Sequence, residues 1–366
     1  MVCRPGISSM SLGRCYAGHS MEHKLSMAAK NGLQGIELFY EDLADLAQPP
    51  TPSNLLSAAA HVRTLCTSLG LEIICLQPFM HYEGLLDRSK HAKRIEEMHL
   101  WIQLAQFLDT DLIQVPSSFL AAEEISDDVE FIVSDLRELA DIGLQHSPPI
   151  RFAYESLCWG TYVDKWELCW DIVRRVDRPN FGICLDSFNI LGRIYADPTS
   201  PTGCNAGAEE EVQASVRRLV EQIGPHKDKI FFFQMVDAER LEQPLLPGHA
   251  FYNAAQPARM SWSRNCRLFY GETEHGAYLP VRDVAHAIIK EIGFEGWVSM
   301  ELFNRAMERK DEGVVEELAS RAGESWRRMV VDLGMEAEAE EVRTKSIVRT
   351  DSGTDIVKRE VDVARL

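Results

Sequence analysis

Residues 230–233 form an unbroken apolar run, Ile230, Phe231, Phe232 and Phe233, and polarity returns at Gln234 and Asp237. A run this short and aromatic predicts a strand buried on both faces. Three other segments share the grammar. Residues 150–156 are mostly apolar until Glu155, residues 181–185 lead to Asp186, and residues 297–300 lead to Glu301. Each of these strands carries one oxygen-bearing side chain near its C-terminal end. Parallel strands laid side by side would aim those four groups at one place.

The rest of the chain alternates in the same way. Strands are predicted over 6–12, 35–40, 72–79, 112–115, 150–156, 181–187, 229–236 and 297–302. Helical spacing fills 19–30, 53–69, 88–108, 127–142, 164–176, 208–223, 281–292 and 313–333. Asn31 with Gly32, Gly143 and Gly293 read as helix stops, and Ser53 after the proline-rich 48–52 reads as a helix start. Eight strand–helix units predict a parallel sheet with helical crossovers, closed into a (β/α)8 TIM barrel. Such a barrel takes about 250 residues, so a chain of 366 carries a surplus. One part of it is 238–279, a long polar loop after strand seven, rich in Pro, Gly, His and Arg, and expected to be functional. The other is 336–366, read as a charged C-terminal extension to a single barrel domain over 1–335.

Composition narrows the partners. With 38 basic and 56 acidic residues the net charge is -18, which argues against a nucleic-acid surface. An anionic small molecule needs only local positive groups. Nine cysteines, an odd number without a CxxC pair, suggest reduced core thiols and a cytoplasmic setting. No apolar run approaches the roughly 18 residues of a membrane span, and the N-terminus lacks an apolar signal core. The reading is therefore of no nucleic-acid or membrane partner, with assembly into a homo-oligomer left open. No Walker or Rossmann glycine pattern calls for a nucleotide cofactor.

Glu155, Asp186, Gln234 and Glu301 stand where barrel strands end, the address of catalytic groups in this architecture. Three carboxylates and an amide suit a hard divalent cation, Mg2+ or Mn2+ with Co2+ a further fit. Taken singly, each is an ordinary salt-bridging, turn or backbone-capping residue. Their shared position points to an ion. Gln77, near the end of strand three, is placed to meet a substrate oxygen or to satisfy buried backbone.

Residues 154–157, 184–189, 233–234 and 299–302 resemble the xylose-isomerase-like barrel superfamily of metal-dependent sugar isomerases and epimerases. More narrowly, 5–13, 35–43 and 261–269 resemble the fungal 3-dehydroshikimate dehydratases of quinate catabolism, and the likeness runs to about residue 333. It implies a hydro-lyase that turns 3-dehydroshikimate into protocatechuate and water, with Glu155, Asp186, Gln234 and Glu301 as its metal ligands. The substrate's carboxylate then needs a local cation. The long loop offers Arg264 and Arg267, and the resemblance favours Arg267, with Ser263 four positions before it as a hydroxyl donor.

The general base is less clearly marked. Many superfamily relatives carry histidine three residues after the second ligand or two after the first; here those places are Asn189 and Leu157. His81, His249 and His275 remain, and His81, just after strand three, is chosen. Glu37 is a further candidate, or a structural partner to a buried base. Three rivals share the scaffold: a sugar or inositol isomerase or epimerase using the same ligands, an apurinic endonuclease that the acidic charge disfavours, and a non-catalytic metabolite-binding barrel.

Overall fold

Eight parallel strands close on themselves: β1 (Cys3–Ser8), β2 (Gly35–Phe39), β3 (Glu72–Gln77), β4 (Leu112–Pro116), β5 (Arg151–Glu155), β6 (Phe181–Asp186), β7 (Ile230–Gln234) and β8 (Gly296–Met300). They run in chain order around the ring, and β8 pairs with β1 to complete it. The computed structural model describes residues 3–335, so the predicted extension at 336–366 lies outside the described residues. The helices are α1 (Met21–Lys30), α2 (Tyr40–Leu46), α3 (Pro52–Leu69), α4 (Arg88–Leu108), α5 (Val129–Leu144), α6 (Trp166–Val176), α7 (Ser187–Ile194), α8 (Ala208–Ile223), α9 (Ala258–Cys266), α10 (Val281–His286) and α11 (Val314–Asp332).

The predicted barrel stands, with corrections at element ends. The first strand stops at Ser8, and Ser9–Leu12 is a 3-10 turn. There the Ser9 hydroxyl accepts from Phe39 N at 3.0 Å and donates to Asp42 at 2.7 Å, bonds that draw the chain off the strand. The cap of α3 is Thr51, not Ser53; its side chain accepts from Asn54 N and Pro52 takes the first helical position. Gly143 is not a stop. It lies inside α5, and a Cβ there would sit 2.5 Å from the Ile150 carbonyl oxygen. The glycine lets the helix end press against the chain entering β5.

Period-two alternation explains the interior. Outward residues such as Ile113, Phe152, Ile183 and Phe233 pack in the large core beneath the helices. Inward residues Cys75, Leu112, Ala153, Cys184 and Phe232 belong to a second, smaller buried cluster. Two positions further along the same strands stand Gln77, Gln114, Glu155, Asp186 and Gln234. An apolar plug thus lies directly under a polar ring at the C-terminal mouth.

The stretch after β7 is more than a loop. It contains α9 and a two-stranded antiparallel ribbon of Asp237–Ala238 with Arg267–Leu268. Arg259 on α9 bonds the carbonyls of Gly192 and Ala196, fixing α9 to α7. Glu272 forms a two-point ion pair with Arg321 of α11 at 2.7 and 2.9 Å. Asp237 closes the base of the stretch: its Oδ1 accepts from Ala238, Tyr278 and Leu279 N at 2.7, 3.2 and 2.9 Å. Replacing Asp237 by Ala should cost about 2 kcal/mol or more, because buried N–H groups lose their acceptor. Asp237→Asn, which keeps an acceptor oxygen, should lose clearly less; denaturant unfolding midpoints measure the difference.

Candidate active site

Every barrel strand delivers one polar side chain to the mouth: Ser8, Glu37, Gln77, Gln114, Glu155, Asp186 and Gln234 from β1 to β7, and Glu301 just past β8. The register sets several side by side, with Ser8 opposite Glu37 and Asp186 opposite Gln234. Ligand oxygens of Glu155, Asp186 and Glu301 all lie within 4.8 Å of one another. Three of the four residues predicted to gather around an ion therefore converge as carboxyl groups. The fourth, Gln234, joins them through Glu37, to whose Oε2 its Nε2 donates at 2.7 Å.

Amide donors hold the carboxyls in place. Asn189 Nδ2 donates to Glu155 Oε1 at 2.8 Å and to Asp186 Oδ2 at 2.7 Å. Gln114 Nε2 donates to Glu155 Oε2 at 2.6 Å. Gln77 Nε2 donates to both Glu37 and Glu301 at 3.0 Å. Asp186 also starts α7, its Oδ1 accepting from Phe188 N at 2.7 Å. One residue thus ends a strand, caps a helix and enters the cluster.

Among the described residues, Arg267 is the one guanidinium bonded into this ring. Its Nη1 donates to Asp186 at 3.0 Å and to Glu301 at 3.1 Å, and its Nε donates to the Ser263 hydroxyl at 3.0 Å. Phe188 and Phe303 flank it, their centroids 4.3 and 5.0 Å from its Cζ. Arg267 and Ser263 thus reach the site as a bonded pair, delivered by the stretch after β7. Arg264 bonds instead to Gln256 at 2.8 Å.

The charges do not balance. Glu37, Glu155, Asp186 and Glu301 are all buried, and so is Arg267, giving four carboxyls to one guanidinium. Burial, with the Glu301 charge second, pushes Glu37 up to about 8. Burial also raises Glu301 to about 7, although Arg267 pulls it back. Glu155 is raised by burial and then by Glu301 and Asp186. A divalent cation would supply the missing positive charge, and carboxylate and amide oxygens are the donors such an ion takes. The residues fit a hard metal ion.

His81 stands differently. Its Nδ1 pairs with Ser118 Oγ at 3.2 Å and its ring meets Phe119 edge-on. Its bonds run there rather than to the carboxyls. Burial, with Arg94 second, lowers its pKa to about 4. His249 accepts from Phe251 N, and His275 is exposed on a short 3-10 turn. Sequence reasoning passed over Gln114 and gave Asn189 no part. The signal for Gln114 was a lone amide amid Leu112, Ile113 and Val115; Asn189 follows Asp186 by one helical turn.

The family model for xylose isomerase-like TIM barrels matches residues 25–324. The chain belongs to that family. It is 59% identical over 348 residues to the 3-dehydroshikimate dehydratase of Neurospora crassa, covering 92% of this chain and 96% of the relative. To a 3-dehydroshikimate dehydratase of Pseudomonas aeruginosa it is 32% identical, over 78% of this chain and 36% of that longer protein. A solved xylose isomerase-like TIM barrel/4-hydroxyphenylpyruvate dioxygenase fusion protein superposes with a TM-score of 0.69 at 27% identity, covering 91% of this chain and 44% of that one.

The raised carboxyls set a pH dependence for metal-stripped protein. Raised acids favour folding while both states are protonated, below about pH 4.5, and their share is lost as pH rises through the folded values. Stripped protein should therefore lose thermal stability between pH 5 and 8 as Glu301, near 7, and Glu37, near 8, ionise. Adding Mg2+ or Mn2+ should restore most stability at the alkaline end, read as a melting shift that grows with pH.

Proposed function

We propose that this protein is a 3-dehydroshikimate dehydratase, a hydro-lyase that releases water from its substrate to give protocatechuate. The observation that carries the reading is the 59% identity to the Neurospora crassa dehydratase across 92% of the chain. The carboxyl cluster, with the stretch after β7 that brings Arg267 to it, supplies the matching chemistry.

In this reading Glu155, Asp186, Gln234 and Glu301 hold a divalent cation, Mg2+ or Mn2+. That ion would supply positive charge beside the substrate's carbon 3 oxygen as negative charge builds there. The protein's own groups do the rest. The proton at carbon 4 passes to His81, whose pKa, lowered by burial to about 4, must rise when the anionic substrate sits beside it. The bond to the carbon 5 hydroxyl breaks, its electron pair leaves with oxygen, and a proton completes the water. Loss of a ring proton and enolisation then give the aromatic product. Arg267 meets the substrate's carboxylate through Nη2, the nitrogen outside its bonds to Asp186, Glu301 and Ser263. Ser263 holds the guanidinium in that pose, and Gln77 keeps Glu301 in place.

Purified protein given 3-dehydroshikimate should generate catechol absorbance, and exhaustive chelation should abolish it. Turnover surviving verified metal removal would overturn the metal's role. Glu301→Gln should lower kcat by about 10²-fold or more while the circular dichroism spectrum is unchanged.

His81→Ala should lower kcat by about 10²-fold with Mn2+ affinity unchanged, as expected for a group that moves a proton rather than holds the ion. Unimpaired turnover in that variant would remove His81 from the reaction.

A further inference from the structure

We infer that Ser118 is a positioning residue that keeps the single ring proton of neutral His81 on Nδ1 and leaves Nε2 bare to accept the substrate's proton. The inference rests on the reading of His81 as the general base. A neutral imidazole carries one N–H, and the partner of one ring nitrogen settles the chemistry of the other. Among the described residues only Ser118 bonds the His81 ring, its Oγ lying 3.2 Å from Nδ1. Nε2 is left as the nitrogen that can take a proton. The Ser118 oxygen also accepts from Leu120 N at 3.4 Å, and its two lone pairs serve both N–H groups. Once His81 is protonated, the same oxygen still accepts from Nδ1, so no group has to turn during the transfer.

Ser118 is itself pinned by backbone bonds. Its N–H donates to Glu83 Oε1 at 2.6 Å, and its carbonyl accepts from Thr161 N at 3.0 Å. The preceding Ser117 N donates to the carbonyl of Glu155 at 2.8 Å. These bonds tie Ser118 to the loop that carries His81, to the chain beyond β5, and to the tip of β5 where a carboxyl of the cluster stands. Glu83 is steadied in turn, the same oxygen accepting from Tyr154 Oη at 3.2 Å. None of these bonds uses the Ser118 hydroxyl, so Ser118→Ala leaves them in place. The ring is constrained as well. His81 has φ +58°, a left-handed conformation uncommon outside glycine, and Phe119 meets its ring edge-on with centroids 4.4 Å apart. A conformation of that kind persists where neighbours over-determine it.

Ring-nitrogen NMR of isotope-labelled histidine reads the protonation site in substrate-free protein near neutral pH. The His81 signals are assigned by their absence in His81→Ala. The ring is neutral there, because burial and then Arg94 lower its pKa to about 4 against the opposing charge of Glu124. The natural chain should show Nδ1 protonated and Nε2 bare. Ser118→Ala should shift the ring toward protonation on Nε2 and lower kcat roughly 10-fold, with KM and Mn2+ affinity unchanged. Ser118→Thr, which keeps a hydroxyl, should recover most of both. A natural chain protonated on Nε2 would overturn the inference, a result that needs no variant of Ser118 to fold. So would Ser118→Ala turning over at the natural rate while His81→Ala does not. Unimpaired turnover in His81→Ala would instead sink the base reading, and this inference with it.

Discussion

Four carboxyl groups buried around a single guanidinium are the constraint on which this structure turns. Burying a charge without a partner is costly, and a fold tolerates it only where counter-charge and hydrogen bonds return what water supplied. Here Arg267 returns one charge and the amides of Gln77, Gln114, Asn189 and Gln234 return hydrogen bonds. The remaining carboxyls lack a counter-charge, which disfavours their ionised forms, and they are held in rigid elements at the barrel mouth. Like charges do not gather in that way for stability, because each raises the energy of the others. A divalent cation would offset that excess, since carboxylate oxygens are the donors such an ion takes.

The rest of the molecule can be understood as support for that cluster. The parallel barrel aims strand ends at one region, so residues far apart in sequence meet without any local signal between them. The apolar layer of Cys75, Leu112, Ala153, Cys184 and Phe232 closes the space beneath. The stretch after β7 then brings Arg267 back over the mouth. That delivery depends on anchors at several points: Asp237 on the backbone of 278 and 279, Arg259 on α7, and Glu272 on Arg321. A long insertion would otherwise be the loosest part of the domain, and these anchors hold Arg267 against Asp186 and Glu301.

The cluster also explains how one carboxyl can serve several levels at once. Asp186 ends β6, caps α7 through Phe188 N, accepts from Asn189 and pairs with Arg267. Asn189 stands three residues later on α7, where the first helical turn returns its side chain to the same face. Its single amide nitrogen bridges Glu155 and Asp186, tying two strands together at their tips.

The sequence by itself determined the order of strands and helices and the outline of the carboxyl cluster. Period-two runs ending in Glu155, Asp186, Gln234 and Glu301 can be recognised one strand at a time, because burial on both faces leaves a local apolar signature and the polar residue stands out at its end. Exact ends were less legible. Ser9 left the first strand and Gly143 stayed inside its helix because of Asp42 and the Ile150 carbonyl, contacts that no local pattern contains. The tertiary structure alone decided the supporting set. Gln114 and Asn189 look like ordinary polar residues in their own segments, and Glu37, a candidate by sequence, gave no local sign of its bonds to Gln77 and Gln234. They become site residues only when closure of the barrel sets β2 beside β3, β4 beside β5, and α7 against the tip of β5. Likewise, whether Arg264 or Arg267 faced the carboxyls was a matter of which way α9 and the ribbon were pinned, and that is fixed by long-range hydrogen bonds rather than by the residues flanking either arginine.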